Sequence, residues 1–235
     1  MTKLSVNINK IATIRNARGG NIPSVTEAAI NCQKFGAQGI TVHPRPDERH
    51  IRYQDVREIR PLITTEFNIE GYPSQRFLDL VLEVKPHQAT LVPDSHDVIT
   101  SNQGWNVIKY ERFLRDVITE LKKNDIRTSL FVETDLEQIE RAAATGTNRI
   151  ELYTEPYASK YSVNPEKAVE PYVRAAKKAA EVGLDLNAGH DLNLDNLRFF
   201  KQHIPALLEV SIGHALISDA LYYGLEKTIH LYLDQ

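Results

Sequence analysis

The chain has 235 residues and a mass of 26.7 kDa, with 42% hydrophobic and 25% charged residues, proportions that exclude a disordered or fibrous polypeptide. Lys and Arg number 28 against 31 Asp and Glu, leaving a net charge of −3 and a pI near 6.3. That balance argues against non-specific binding to nucleic acid or a membrane surface, so an anionic ligand must be held by a local cluster of cations.

One cysteine, Cys32, excludes an intramolecular disulfide framework and any zinc site built from several thiolates. No run approaches the ~18 uninterrupted apolar residues of a membrane-spanning helix. The first nine residues alternate apolar and polar and lack the apolar stretch of a signal peptide. They predict a strand that begins almost at residue 1, in a soluble, cytoplasmic protein.

Short β-branched or apolar runs then alternate with helical patterns along the whole chain, the signature of βα units around a parallel sheet. The predicted strands are Leu4–Ile8, Gly39–Val42, Glu66–Ile69, Ala89–Val92, Thr128–Val132, Arg149–Tyr153, Leu184–Asn187 and Leu208–Ile212. Between the first two, Ser24 and Glu27 form a capping pair ahead of Val25, Ala28, Ala29, Cys32 and Phe35, which share one helical face. Cys32 on that stripe reads as a small buried apolar residue.

Residues 93–112 form a longer connection, with Trp105 and Tyr110, suited to assembly or to covering a site. Asp135 and Gln138 repeat the capping pattern, and Gly146 stands where that helix should stop. Asn164-Pro165-Glu166 opens a helix toward Gly183 in which Pro171 predicts a kink or a later start. Ala215–Leu233 reads as one amphipathic helix. Eight strands and eight helices in alternation, at about 30 residues per unit, predict an α/β fold, a (β/α)8 TIM barrel spanning 1–235 as one domain. An open doubly wound sheet is the alternative.

In such a barrel the catalytic groups collect at the C-terminal ends of the strands. Those ends carry Asn7-Ile8-Asn9-Lys10, His43-Pro44-Arg45, Glu70-Gly71, Glu151 with Tyr153, Asn187-Ala188-Gly189-His190-Asp191, and Gly213-His214. Three of the eight histidines therefore fall at equivalent positions of different strands. Histidine titrates near neutrality, and a glutamate raised by burial could serve as base beside it. Lys10, Arg15, Arg18, Arg45 and Arg49 surround these groups and would repel a metal ion, so an anionic substrate fits better.

Arg15–Gly20 after strand 1 and His43–His50 after strand 2 read as one phosphate site. Gly189-His190 and Gly213-His214, after strands 7 and 8, read as a second. Two anion sites on one face suit a reaction joining two phosphorylated small molecules. On these residues alone, a phosphosugar isomerase, epimerase or aldolase, or a non-catalytic phosphate sensor, stays open.

The pattern also resembles a known family. Val6-Asn7-Ile8, Ile11–Gly19, Gly39–His43, Arg49-His50-Ile51, Leu91-Val92-Pro93, Leu186–His190 and Ile212–Ala215 together resemble the pyridoxine 5′-phosphate synthases of vitamin B6 biosynthesis. The resemblance implies a homo-octamer that needs no metal or organic cofactor. The implied transferase reaction condenses 3-amino-2-oxopropyl phosphate with 1-deoxy-D-xylulose 5-phosphate, giving pyridoxine 5′-phosphate, phosphate and water.

By motif, His43 and Glu70 would accept protons and His190 would donate one. Asn7, Gly213 and His214 would hold the aminoketone phosphate, and Arg18, Arg45, His50 and Thr100 the deoxyxylulose phosphate. Asn9, Lys10 and Asp191 occupy further substrate-contact positions, where many relatives carry Asp-His and Gly.

Overall fold

The computed structural model describes residues 2–93 and 103–235. Its eight strands are β1 (Lys3–Asn7), β2 (Gly39–Val42), β3 (Glu66–Gly71), β4 (Gln88–Leu91), β5 (Arg127–Val132), β6 (Arg149–Leu152), β7 (Asp185–Gly189) and β8 (Leu207–Ile212). Each pairs in parallel with the next, and β8 pairs with β1, so the sheet closes into the predicted barrel.

The helices depart from one per strand. Among the described residues there are eleven: α1 (Asn9–Arg18), α2 (Val25–Lys34), α3 (Tyr53–Ile59), α4 (Gln75–Val84), α5 (Val107–Lys123), α6 (Leu136–Ala144), α7 (Glu155–Tyr161), α8 (Pro165–Glu181), α9 (Leu197–His203), α10 (His214–Tyr223) and α11 (Leu225–Leu233).

Local signals explain several of their ends. Ser24 accepts from the Glu27 amide, Asp135 from those of Glu137 and Gln138, and Asn164 from that of Lys167. The Gln138 side chain does not complete a box with Asp135; it accepts from the Val107 amide and joins α6 to α5. Pro171 leaves α8 continuous from Pro165 to Glu181. The single helix expected over 215–233 is two, because Gly224 at φ 81°, ψ 148° turns the chain as few L residues can.

Period-two alternation places the core. Val6 and Ile8, Ile40 and Val42, Phe67 and Ile69, Ile150 and Leu152, and Val210 and Ile212 lie between barrel and helices, all buried. The alternate positions, buried in the barrel itself, are polar: Ser5, Thr41, Asn68, Thr90, Ser129, Glu151, Asn187 and Ser211. Half of this belt is hydrogen-bonded, from Ser5 to Thr41 at 2.7 Å, Asn68 to Thr41 at 3.4 Å and Thr90 to Asn68 at 3.0 Å.

Below the belt, Arg127 and Arg149 pair with Glu66 and Asp185 and close the N-terminal mouth. A bulge at Leu208, where Leu186 pairs with Leu207 but Asn187 with Glu209, sets the parity that turns Glu209 and Ser211 inward. Cys32 lies fully buried on α2, and burial pushes its thiol up to about 12, so it packs and does not react.

Candidate active site

The C-terminal ends of the strands surround a cavity of about 870 Å³. Glu70 at the end of β3 is its hub. Asn7 Nδ2 donates to Glu70 Oε2 at 3.4 Å, and His43 Nδ1 lies 3.9 Å from the same oxygen. Asn7 Oδ1 accepts from the Asn9 amide at 3.1 Å, and Asn9 Oδ1 accepts from the His43 amide at 2.9 Å. The two asparagines thus tie the ends of β1, β2 and β3 together, which the sequence reading of both as substrate contacts does not anticipate.

Burial, then Arg45, His50, Arg49 and His190, hold the His43 imidazole well below its usual pKa. It is neutral at working pH and suited to accepting a proton.

His50 sits on the same wall. Its Nδ1 accepts from the Ile51 amide at 2.9 Å, so the neutral ring carries its proton on Nε2. Burial, then Arg45 and Lys10, pull its pKa down to about 4. It is therefore suited to meet an anion as a neutral donor, beside the charges of Arg45, Arg49 and Lys10, which line the cavity with it.

The segment that carries Arg45 and His50 is tied to α1. Arg15, buried, forks onto Asp55 at 2.6 and 2.9 Å and also donates to the His50 carbonyl at 3.1 Å. Asn16 Nδ2 reaches the carbonyls of Glu48, Arg49 and His50 at 3.4, 3.1 and 2.9 Å. Arg15 is therefore a strut that braces this segment, its guanidinium engaged by Asp55 and the His50 carbonyl. Residues through Arg18 are helical, and Gly19 at φ 73° caps that helix. Arg18 is exposed and does not line the cavity.

On the opposite side the glycines have steric reasons. A Cβ on Gly189 would lie 2.1 Å from the Ser211 carbonyl oxygen, and one on Gly213 would lie 3.1 Å from Asn7 Cβ. Gly213 opens α10, whose first amides and positive end face the cavity beside His214 and Ala215. His190 follows Gly189 at φ 46°, and its Nδ1 donates to Asp191 Oδ2 at 2.7 Å. Its backbone N–H donates to the Ser211 carbonyl at 3.2 Å.

Glu151 is a strand-end residue to which the sequence reading gave no role. It lies buried in the cavity floor, and its Oε2 and the Ser211 hydroxyl have no hydrogen-bond partner among the described residues. Burial, then Glu70 and Glu209, push its carboxyl well above the usual range, against the opposing influence of His190. Burial thus favours its neutral form, whereas Glu70 has hydrogen-bond support from Asn7, so two carboxyl groups of one cavity are suited to opposite roles. Its position in the Arg149-Ile150-Glu151-Leu152 alternation was the available signal.

Thr100 lies outside the described residues. Among the described residues, no group of three or more His, Cys, Asp or Glu side chains is arranged to hold a metal. None of their helices is long and apolar enough to cross a membrane. In the 93–112 connection, Trp105 is buried, its Nε1 donating to the Leu91 carbonyl at 2.9 Å, and it contacts the rings of Tyr72, Tyr110 and Phe113.

A closed parallel barrel with acid–base side chains, a cationic wall and a helix amino terminus at its C-terminal mouth defines a (β/α)8 enzyme site suited to phosphorylated small molecules. Comparison with known proteins narrows this. The family described as "Pyridoxal phosphate biosynthesis protein PdxJ" matches residues 4–235, and the chain belongs to that family. Curated pyridoxine 5′-phosphate synthases from Parabacteroides distasonis and Flavobacterium johnsoniae are 65% identical over 232 residues and 61% over 233. Each alignment covers 99% of this chain and 98% of the relative. A thiamine phosphate pyrophosphorylase from Pyrococcus furiosus shares the fold alone, with a TM-score of 0.63 at 13% identity over 99% of this chain and 94% of that one.

Proposed function

We propose that this protein condenses 3-amino-2-oxopropyl phosphate with 1-deoxy-D-xylulose 5-phosphate to form pyridoxine 5′-phosphate, releasing inorganic phosphate and water. The observation that carries the assignment is Glu70, set between His43 and Asn7 in a cavity with a cationic wall on one side and a glycine-led helix terminus on the other. Full-length identity above 60% with synthases of that name supports the same reading.

Arg45 and neutral His50 take the deoxyxylulose phosphate, with Lys10 adding charge and Thr100 and Arg18 assigned by resemblance. Gly213, His214 and the first amides of α10 take the aminoketone phosphate, with Asn7 beside them. Holding both phosphates converts the encounter of amine and ketone into a step within one complex. The amine attacks the ketone, and the carbinolamine loses water to an imine. His190 supplies the proton that lets hydroxide leave as water, and His43 takes the proton shed by nitrogen.

Glu70 then removes a carbon-bound proton, the step that permits phosphate loss and ring closure, and can be reused because it returns the proton to a departing oxygen. Glu151, protonated by its burial, supplies a further proton at the cavity floor. The homo-octamer and cytoplasmic setting implied by the resemblance belong to the same proposal.

The test is to incubate the purified protein with both phosphates and follow pyridoxine phosphate and released phosphate together. Stoichiometric appearance of both is expected. A folded preparation that yields neither refutes the assignment.

A further inference from the structure

The position after His190 holds an aspartate whose carboxylate has, among the described residues, one partner, the imidazole beside it. Asp191 Oδ2 accepts from His190 Nδ1 at 2.7 Å. The backbone around the pair is held from three directions. The Asp191 amide donates to Thr154 Oγ1 at 3.3 Å, and that hydroxyl donates in turn to the Gly189 carbonyl. The His190 amide donates to the Ser211 carbonyl on β8 at 3.2 Å. Asn196, ahead of α9, donates through Nδ2 to the Asp191 carbonyl at 3.4 Å. His190 keeps φ 46°, a conformation side-chain-bearing residues enter with strain, so the ring is aimed by its surroundings rather than by its own preference.

We propose that Asp191 is a positioning residue that forms a carboxylate–histidine dyad with His190, fixing the Nδ1–H tautomer and making His190 the acid of the site. The inference rests on the assignment above, in which His190 donates a proton. With Nδ1 committed to Asp191, proton exchange runs through Nε2, and the adjacent carboxylate favours the imidazolium.

Groups from several elements face the pair. Tyr153, from the end of β6, sets its ring 6.2 Å from the imidazole. Glu151 from β6, Glu155 from α7, Glu70 from β3, His43 from β2 and His214 from α10 line the same cavity. Lys10, Arg45, Arg49 and His50 line that cavity too, and Arg45 and Arg49 act on His43. His43 is thereby held neutral, while in the proposed dyad the carboxylate 2.7 Å from the other ring makes His190 the charged acid. A contact of Asp191 with substrate phosphate would place two anions together, so the dyad also explains how an acidic side chain is accommodated beside a phosphate site.

The experiment titrates His190 by NMR in the intact, substrate-free protein, its signal assigned by absence in His190→Gln. Asp191→Asn keeps the shape and removes the charge; Asp191→Gly removes the side chain and serves if the amide variant folds poorly. The expected result is a fall in the His190 pKa of about one to two units in either variant. The alkaline limb of the kcat profile should move down by a similar amount, with KM for either phosphate changed less than about threefold.

An unchanged titration in a folded variant overturns the dyad. A shifted titration with an unmoved kcat profile overturns its role in the reaction, as does an effect confined to KM. The titration does not depend on turnover, so failure of the dyad is distinguishable from failure of the assigned reaction, which the product assay decides.

Discussion

Replacing Asp55 tests whether the wall that holds Arg45 and His50 is set by the strut beneath it. Asp55 accepts three hydrogen bonds, at 2.6 and 2.9 Å from Arg15 and at 2.7 Å from the Arg52 amide. Both charged side chains are shielded, 4% exposed for Arg15 and 9% for Asp55. Breaking a buried ion pair by removing one partner costs about 3–5 kcal/mol, because the surviving charge stays desolvated. Asp55→Ala should fall at the top of that range, since it also strips the α3 amino terminus of an acceptor. Asp55→Asn keeps an acceptor for the Arg52 amide and should cost about 3 kcal/mol.

The His50 carbonyl is held by Arg15 and Asn16 together, so the loosened loop should also raise KM for the deoxyxylulose phosphate by about tenfold, with kcat less affected. Urea unfolding at one fixed protein concentration, followed by circular dichroism, measures the first effect, and initial rates measure the second. Both variants within about 1 kcal/mol of the parent, with KM unchanged, would refute the reasoning.

Glu70→Gln should lower kcat by about 100-fold or more while phosphate binding persists, as calorimetry with inorganic phosphate can show. Gly213→Ala should raise KM for the aminoketone phosphate, because the new methyl meets Asn7 at 3.1 Å; an unchanged KM would remove Gly213 from the anion site. Gly189→Ala should impair folding outright, since its Cβ would lie 2.1 Å from a backbone oxygen, and a thermal melt matching the parent would contradict that.

His50, with its pKa lowered in the fold to about 4, binds its proton in the unfolded chain first as pH falls below ~6.5. Stability should therefore drop between pH ~6.5 and about 4, and His50→Gln should flatten that slope in urea titrations. The same variant keeps an N–H donor, so its affinity for the deoxyxylulose phosphate should fall less than in His50→Ala.

Much of the fold is legible because it depends on local periodicity. Alternation in Leu4–Asn7 or Phe67–Glu70 and the capping residues Ser24, Asp135 and Asn164 act within a few residues of themselves. The helix count was less legible. Gly224 breaks the last helix only because the chain there takes φ 81°, and a lone glycine inside an amphipathic pattern does not announce that. Strand-end positions likewise name His43, Glu70, His190 and Gly213, since a barrel brings those ends to one mouth whatever its details.

Arg15 shows what that reading lacks. As a sequence it belongs to an arginine- and glycine-rich run that looks made for phosphate; in the fold it points into protein and meets Asp55, forty positions away. Glu151 shows the converse, a glutamate in an apolar strand whose chemistry depends on what faces it across the barrel.

The amino-acid sequence by itself determined the alternation of strands and helices, the count of eight strands, and which residues stand at the strand ends, because each follows from short-range pattern and parity. Tertiary structure alone decided that the sheet closes, which cations line the cavity and which brace a loop. It also decided which histidine is kept neutral, and that Asp191 turns to His190. Those outcomes depend on desolvation and on partners distant in the chain or oriented by them, and electrostatic energies change with burial and distance, neither of which is written in the order of residues.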